Sequence, residues 1–189
     1  MNVITRDRIK SDLALHRTWL DDDDSGARVA WRDTDLSGAD LSHQNLDRSD
    51  MARSRLVGVD FTGTSLHSAF LHRADLTRAK LRGADLTNAC LIEACLFGAD
   101  LTGADLSACD MTSVELTFAI GVIDGGTPNG WRCFGWVRDG WLSIRVGCRD
   151  RRAMEGRAYW SDKPNRAEVL AAIDYVEAVA KIRNWRTEP

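Results

Sequence analysis

The central half of the chain carries a large apolar residue at every fifth position. Leu36, Leu41, Leu46, Met51, Leu56, Phe61, Leu66, Leu71, Leu76, Leu81, Leu86, Leu91, Leu96, Leu101, Leu106, Met111 and Leu116 form an unbroken register of 17 centres. Two residues before each centre sits a small or compact side chain, most often alanine, as at Ala69, Ala74, Ala79 and Ala84. A period of five matches neither the 3.6 residues of a helical turn nor the alternation of a strand. A helix would spread the large residues over all its sides, and a continuous strand would send successive ones to opposite faces. The pattern closes if each unit is a short extended edge followed by a corner. The centre and the residue two before it then point toward one axis.

The polar positions follow the same period. The residue just before the centre is Asp in nine units: Asp35, Asp40, Asp50, Asp60, Asp75, Asp85, Asp100, Asp105 and Asp110. A short carboxylate there reaches nearby backbone N–H groups, which the longer Glu is expected to do less well. Gly38, Gly58, Gly63, Gly83, Gly98 and Gly103 stand two residues after their centres, where a corner calls for a permissive φ. Units such as Ala-Asp-Leu-Thr-Arg at 74–78 and Ala-Asp-Leu-Thr-Gly at 99–103 resemble the A(D/N)LXX motif of the pentapeptide-repeat family. The resemblance covers residues 31–120. It implies a mainly β fold, a right-handed quadrilateral parallel β-helix with four units per coil. About four coils at ~4.8 Å per rung make a rod roughly 20 Å long. Each coil touches only its neighbours, so both open ends need caps.

The flanks supply candidates for those caps. Residues 1–30 predict one helix from about Thr5 to Leu20, capped by Thr5, with Ile9, Leu13, His16 and Leu20 on one side. Asp21–Asp24 are badly placed for the dipole of that helix and predict its end. A helix that caps the first coil is the expectation; a partner-binding helix is the alternative. Residues 121–189 hold all three Pro and five of the seven Trp. There, Trp131–Val137 and Trp141–Val146 flank Arg138-Asp139-Gly140 and predict a hairpin. A helix from Pro164, capped near Ser161 or Asp162, carries Val169, Leu170, Ile173, Val176, Ala180 and Trp185 on one face. The expected tail is thus a small ββα module, of a kind that resembles bacterial and phage members of the family.

Composition narrows the function classes. At 44% apolar and 28% charged the chain is that of an ordinary globular protein, with no membrane-length apolar run. No basic-then-apolar leader opens it, and five Cys are an odd number for a disulfide scaffold, so a reducing cytoplasm is predicted. The four His include no HExxH, the Cys residues show no CxxC, and no phosphate-binding glycine motif occurs. No catalytic residue, cofactor or metal is therefore expected. The acids divide as 22 Asp and 6 Glu, and the repeat explains nine of the Asp.

Three surfaces remain as candidates. Residues twenty apart stack, which places Val57, Phe70, Ile92, Phe97 and Phe118, with Cys90 and Cys95, on two adjoining faces as an apolar strip. The tail folding over this strip is one expectation; a homodimer or a protein target is the other. Asp40, Asp60 and Asp100, with Asp85 and Asp105 beside them, form an acidic face, opposed by Arg48, Arg53, Arg55, Arg73 and Arg78. Some family members resemble duplex DNA in shape and charge and bind type II topoisomerases in its place. That resemblance implies a DNA-mimicking modulator of a bacterial or phage-related protein target. Arg149, Arg151, Arg152 and Arg157, near Tyr159 and Trp160, form a basic cluster of a kind that binds single strands. The isoelectric point of about 5.8 argues against nucleic acid. A structural spacer presenting the Trp-rich tail is the remaining alternative. Leu86→Asp, in a middle coil, is expected to abolish cooperative unfolding; a sharp thermal transition in that variant would refute the register.

Overall fold

The structure is a computed structural model and describes residues 1–22, 24–125, 133–138, 141–146, 149–152, 161, 166–185 and 187. Its order is β1 (Asn2–Val3), α1 (Arg6–Asp21), β2 (Thr34–Asp35), the repeat region, β3 (Val122–Asp124), β4 (Cys133–Arg138), β5 (Trp141–Val146), β6 (Arg149–Arg152) and α2 (Arg166–Ile182).

Residue i bridges residue i+20 in parallel all along the repeat, from Ala30↔Asp50 to Asp100↔Ile120. Twenty residues therefore make one coil of four edges, each contributing one bridging residue per rung. All 17 centres are buried. The register begins one unit earlier than the leucine pattern indicates. Trp31 is a buried eighteenth centre, and its N–H donates to the Asp50 carbonyl at 2.7 Å.

The corners explain why five residues suffice for an edge and a turn. Every residue two past a centre, from Asp33 to Phe118, has φ between 53° and 72°. Six of these positions are glycine; the others include Arg48, Arg73, Glu93, Ala108 and Phe118. Left-handed backbone costs an L-residue ~1–2 kcal/mol, so the stacked hydrogen bonds hold these corners against their own preference. All nine Asp carboxylates accept the N–H two residues on, for instance Ser37 to Asp35 at 2.9 Å and Thr62 to Asp60 at 3.0 Å. Glu115 performs the same task at 2.7 Å toward Thr117, so the longer side chain is adequate here.

Both ends are covered. β1 adds a parallel rung beside Thr34–Asp35, and Ile4, Ile9 and Leu13 join the apolar core of the solenoid. Thr5 caps α1 by accepting the Arg8 N–H at 3.3 Å. The buried His16 accepts the Val29 N–H at its Nδ1, and burial pushes its pKa below the ordinary 6.5. Trp31 Nε1 donates to Asp12 at 2.7 Å, which fixes the helix over the first coil.

The tail has more strands than the hairpin expected. The hairpin is present, with Arg138 opposite Trp141, but β3 and β6 flank it in an antiparallel order β3-β4-β5-β6. Alternation along β4 divides the core. Cys133 and Gly135 meet α2, while Phe134 and Trp136 join Val122 in the core of the solenoid. The expected start of the second helix at Pro164 lies outside the described residues, and α2 is described from Arg166.

Two glycines at the solenoid's junctions are needed for space as well as φ. A Cβ on Gly26 would lie 2.3 Å from the Leu15 carbonyl oxygen, and one on Gly121 would lie 2.3 Å from the Leu101 carbonyl carbon. Gly58, at φ +64°, has nothing within 4 Å of that position. Gly58→Ala is therefore expected to lose only the strain of its corner, ~1–2 kcal/mol. Gly121→Ala should lose clearly more, because backbone has to move. Urea unfolding of the two variants compares them, and equal losses would contradict the packing at Gly121.

Candidate interaction surface

The register places the apolar strip on two adjoining columns of the solenoid. Phe70 and Cys90 are stacked bridging residues of one column, with Ile92 beside them; Cys95 belongs to the next, with Val57, Phe97 and Phe118. Phe118 is 75% exposed and Phe70 is 41% exposed, while Val57, Ile92 and Phe97 are half-buried. The Phe97 and Phe118 rings meet edge to face at 5.3 Å, and the Arg28 guanidinium sits 5.8 Å from the Phe70 ring centre. Phe70 and Phe118 keep this exposure with the tail in place. Its sheet closes the end of the solenoid through Phe134 and Trp136, because those side chains complete the core above the last coil.

The acidic face is largely compensated. Asp40, Asp60, Lys80 and Asp100 are consecutive rungs of one column, continued by Ile120. Lys80 pairs with Asp60 at 3.0 Å, and Arg82 with Asp100 at 3.4 Å. Asp40 lines a groove of about 600 Å³ between α1 and the first coil, together with Arg6, Lys10 and Arg17. Asp85 and Asp105 stack as adjacent rungs of the next column, each accepting a backbone N–H from Thr87 or Ser107. Four of the five arginines set against the acidic face are engaged too. Arg53 pairs with Asp33, Arg55 lies 4.0 Å from Asp35, Arg73 pairs with Glu93 at 2.7 Å, and Arg48 lies 4.4 Å from the Trp19 ring centre. Most of these pairs span one coil, so charge is matched rung by rung.

Residues 34–73, 54–92 and 89–120 match the family described as Pentapeptide repeats, in eight copies. The repeat region, residues 34–120, belongs to the pentapeptide-repeat family. Among solved structures it is similar to a pentapeptide repeat protein from the Arabidopsis thaliana thylakoid lumen. That match has 33% identity and a TM-score of 0.40, and it covers 47% of this chain and 66% of that one. Rfr23, a pentapeptide repeat protein from the cyanobacterium Cyanothece, matches at 21% identity and a TM-score of 0.29, over 59% of this chain and 90% of that one. QnrB1, a plasmid-mediated fluoroquinolone resistance protein, matches at 26% identity and a TM-score of 0.27, over 49% of this chain and 56% of that one. The chain thus spans less than two thirds of the Arabidopsis protein and of QnrB1. No curated protein matches it. No helix among the described residues is long and apolar enough to cross a membrane.

Of the basic cluster, Arg149, Arg151 and Arg152 lie on β6, paired with Val146, Ile144 and Ser143; Arg157, Tyr159 and Trp160 lie outside the described residues. Two features of this pentapeptide-repeat protein escape a reading of the repeat alone. One is the groove under α1, signalled only by the basic spacing of Arg6 and Lys10. The other is Ile120, 50% exposed in a column that otherwise carries charge.

The Thr62 hydroxyl and N–H, then the Lys80 ammonium, hold the Asp60 carboxyl at about 2, below its ordinary 3.8. A carboxyl depressed on folding stabilises the protein above its unfolded pKa, and that stability fades as pH falls from about 4 toward 2. Asp60→Asn should therefore lower the thermal midpoint at pH 6 and flatten its decline between pH 4 and pH 2. Parallel curves for the two proteins over that range would remove Asp60 as a source of acid sensitivity.

Proposed function

We propose that the chain is a non-catalytic interaction protein that binds a protein partner through the apolar strip Val57, Phe70, Ile92, Phe97 and Phe118. Phe118 carries this reading. It holds a bulky side chain at a left-handed corner (φ 59°) and leaves it three-quarters exposed, so it adds both strain and apolar surface to the free protein. That exposure persists with the tail in place. Cytoplasmic residence suits Cys90 and Cys95, which form no disulfide.

A narrower version has the acidic face standing in for duplex DNA at a type II topoisomerase. It draws on the family resemblance and on the stacked Asp85 and Asp105. The pairing of Asp60 with Lys80 and of Asp100 with Arg82 weakens it, because a mimic of the phosphate backbone needs uncompensated negative charge. The spacer alternative draws on the close joint between solenoid and tail.

Two variants separate these readings when the protein is used to capture partners from a bacterial lysate. Phe97→Ser with Phe118→Ser should lose the captured partner at an unchanged thermal midpoint. Asp40→Asn with Asp60→Asn and Asp100→Asn should keep it. The reverse outcome favours the acidic face, and a supercoiling assay with purified gyrase then tests the topoisomerase version. Capture unchanged in both variants would leave the spacer reading.

A further inference from the structure

On the face built over Leu41, Phe61, Leu81 and Leu101, the residue two past each centre donates its N–H to a carbonyl in the coil above. His43 donates to Thr62 at 2.9 Å, Gly63 to Arg82 at 2.8 Å and Gly83 to Thr102 at 3.0 Å. The same register would pair Gly103 with the Val122 carbonyl, and that bond is absent. Leu101 still donates to Ile120 at 2.8 Å, but Gly121, at φ +83° and pressed against Leu101, turns the chain away. The Val122 carbonyl instead accepts Nη1 of Arg183 at 2.8 Å. The Gly103 N–H is thus without an acceptor among the described residues, on the side where the next rung would lie.

A cavity of about 560 Å³ lies at this missing rung, lined by Thr102, Gly103, Ile120, Gly121, Arg183 and Trp185. Its size is in the range of ~300–1,000 Å³ usual for small-molecule sites. Two of its walls are apolar: Ile120, half exposed where lower rungs carry Asp or Lys, and the half-buried Trp185. The Arg183 guanidinium is held by the Val122 carbonyl and lies 5.5 Å from the Trp185 ring centre. A guanidinium offers five N–H donors in a rigid fork, and one of them is engaged by Val122.

We propose that this cavity binds a small planar aromatic carboxylate. One carboxylate oxygen takes the place of the missing rung carbonyl and accepts the Gly103 N–H, while the charge pairs with Arg183. The aromatic body lies between Ile120 and Trp185. The site is independent of the apolar strip, because Ile120 continues the column of Asp40, Asp60, Lys80 and Asp100.

Titrating 2-naphthoate into the full chain, followed by amide NMR, tests the proposal. Saturable movement of the Gly103 amide is expected, with a dissociation constant below ~1 mM. The neutral 2-naphthamide should bind at least about tenfold more weakly, as should 2-naphthoate to Arg183→Gln, since a charge-assisted hydrogen bond is lost. Ile120→Asp restores the residue type this column carries at Asp100, so the coil is kept while the cavity gains a negative charge; it should abolish binding. A Gly103 amide that stays still at millimolar naphthoate, or equal affinity for the amide and the acid, would overturn the site. Undiminished binding to a folded Ile120→Asp would do the same.

Discussion

A left-handed residue at every fifth position is the constraint from which the rest of the molecule follows. It turns the backbone once per unit, so that large side chains five apart share one interior. It also leaves the donors and acceptors of each edge aligned along the stacking axis, where only another coil can satisfy them. At glycine the turn costs little; at Arg48, Glu93 or Phe118 it costs about 1–2 kcal/mol. The twelve non-glycine corners are spread over the stacked coils, and a lone coil would have nothing to hold its own share of them. They persist because each coil is clamped by the hydrogen bonds of its neighbours and by carboxylates that tie the N–H groups entering the corner.

A structure held together along its axis has its weak points at its ends, and there the sequence stops repeating. The first coil is closed by β1 and α1, with the buried His16 accepting one backbone N–H and Asp12 accepting from Trp31. The last is closed by a sheet whose two faces do different work: Phe134 and Trp136 complete the solenoid, while Cys133, Leu142 and Ile144 receive α2. Gly26 and Gly121 mark the two places where the chain leaves the repeat so tightly that a methyl group would strike backbone. Solenoid and caps form one continuous object because the caps lend side chains to the solenoid's own core.

This division explains what the amino-acid pattern discloses. Seventeen leucine-like residues in register specify inside and outside for every position between them, so the period alone places the strip of Val57, Phe70, Ile92, Phe97 and Phe118. Trp31 also fills a centre, yet an indole ahead of the leucine run does not show itself as one, although it falls within the bounds of the repeat. β3 and β6 are three and four residues long, too short to show an alternation, and β6 consists wholly of charged residues. The charge pairing was half visible. Lys80 and Arg82 plainly interrupt the acidic face, but their approach to Asp60 and Asp100 depends on rotamers that the period does not encode.

The same logic orders the candidate surfaces. Stacking twenty residues apart brings each outward side chain within reach of its neighbours above and below, so opposite charges in a column neutralise one another. Asp60 with Lys80 and Arg73 with Glu93 are outcomes of that geometry. Charge on such a rod therefore says more about how its rungs are matched than about a partner. Exposed apolar side chains are different, because stacking offers them only partial cover. At the terminal rungs there is no coil above to offer even that. Phe118 and Ile120, the two most exposed large apolar residues of the repeat, both lie in the last coil. There the register still dictates where side chains point, while the neighbour that would shield them is missing, so a contact supplied from outside the repeat has the most to gain.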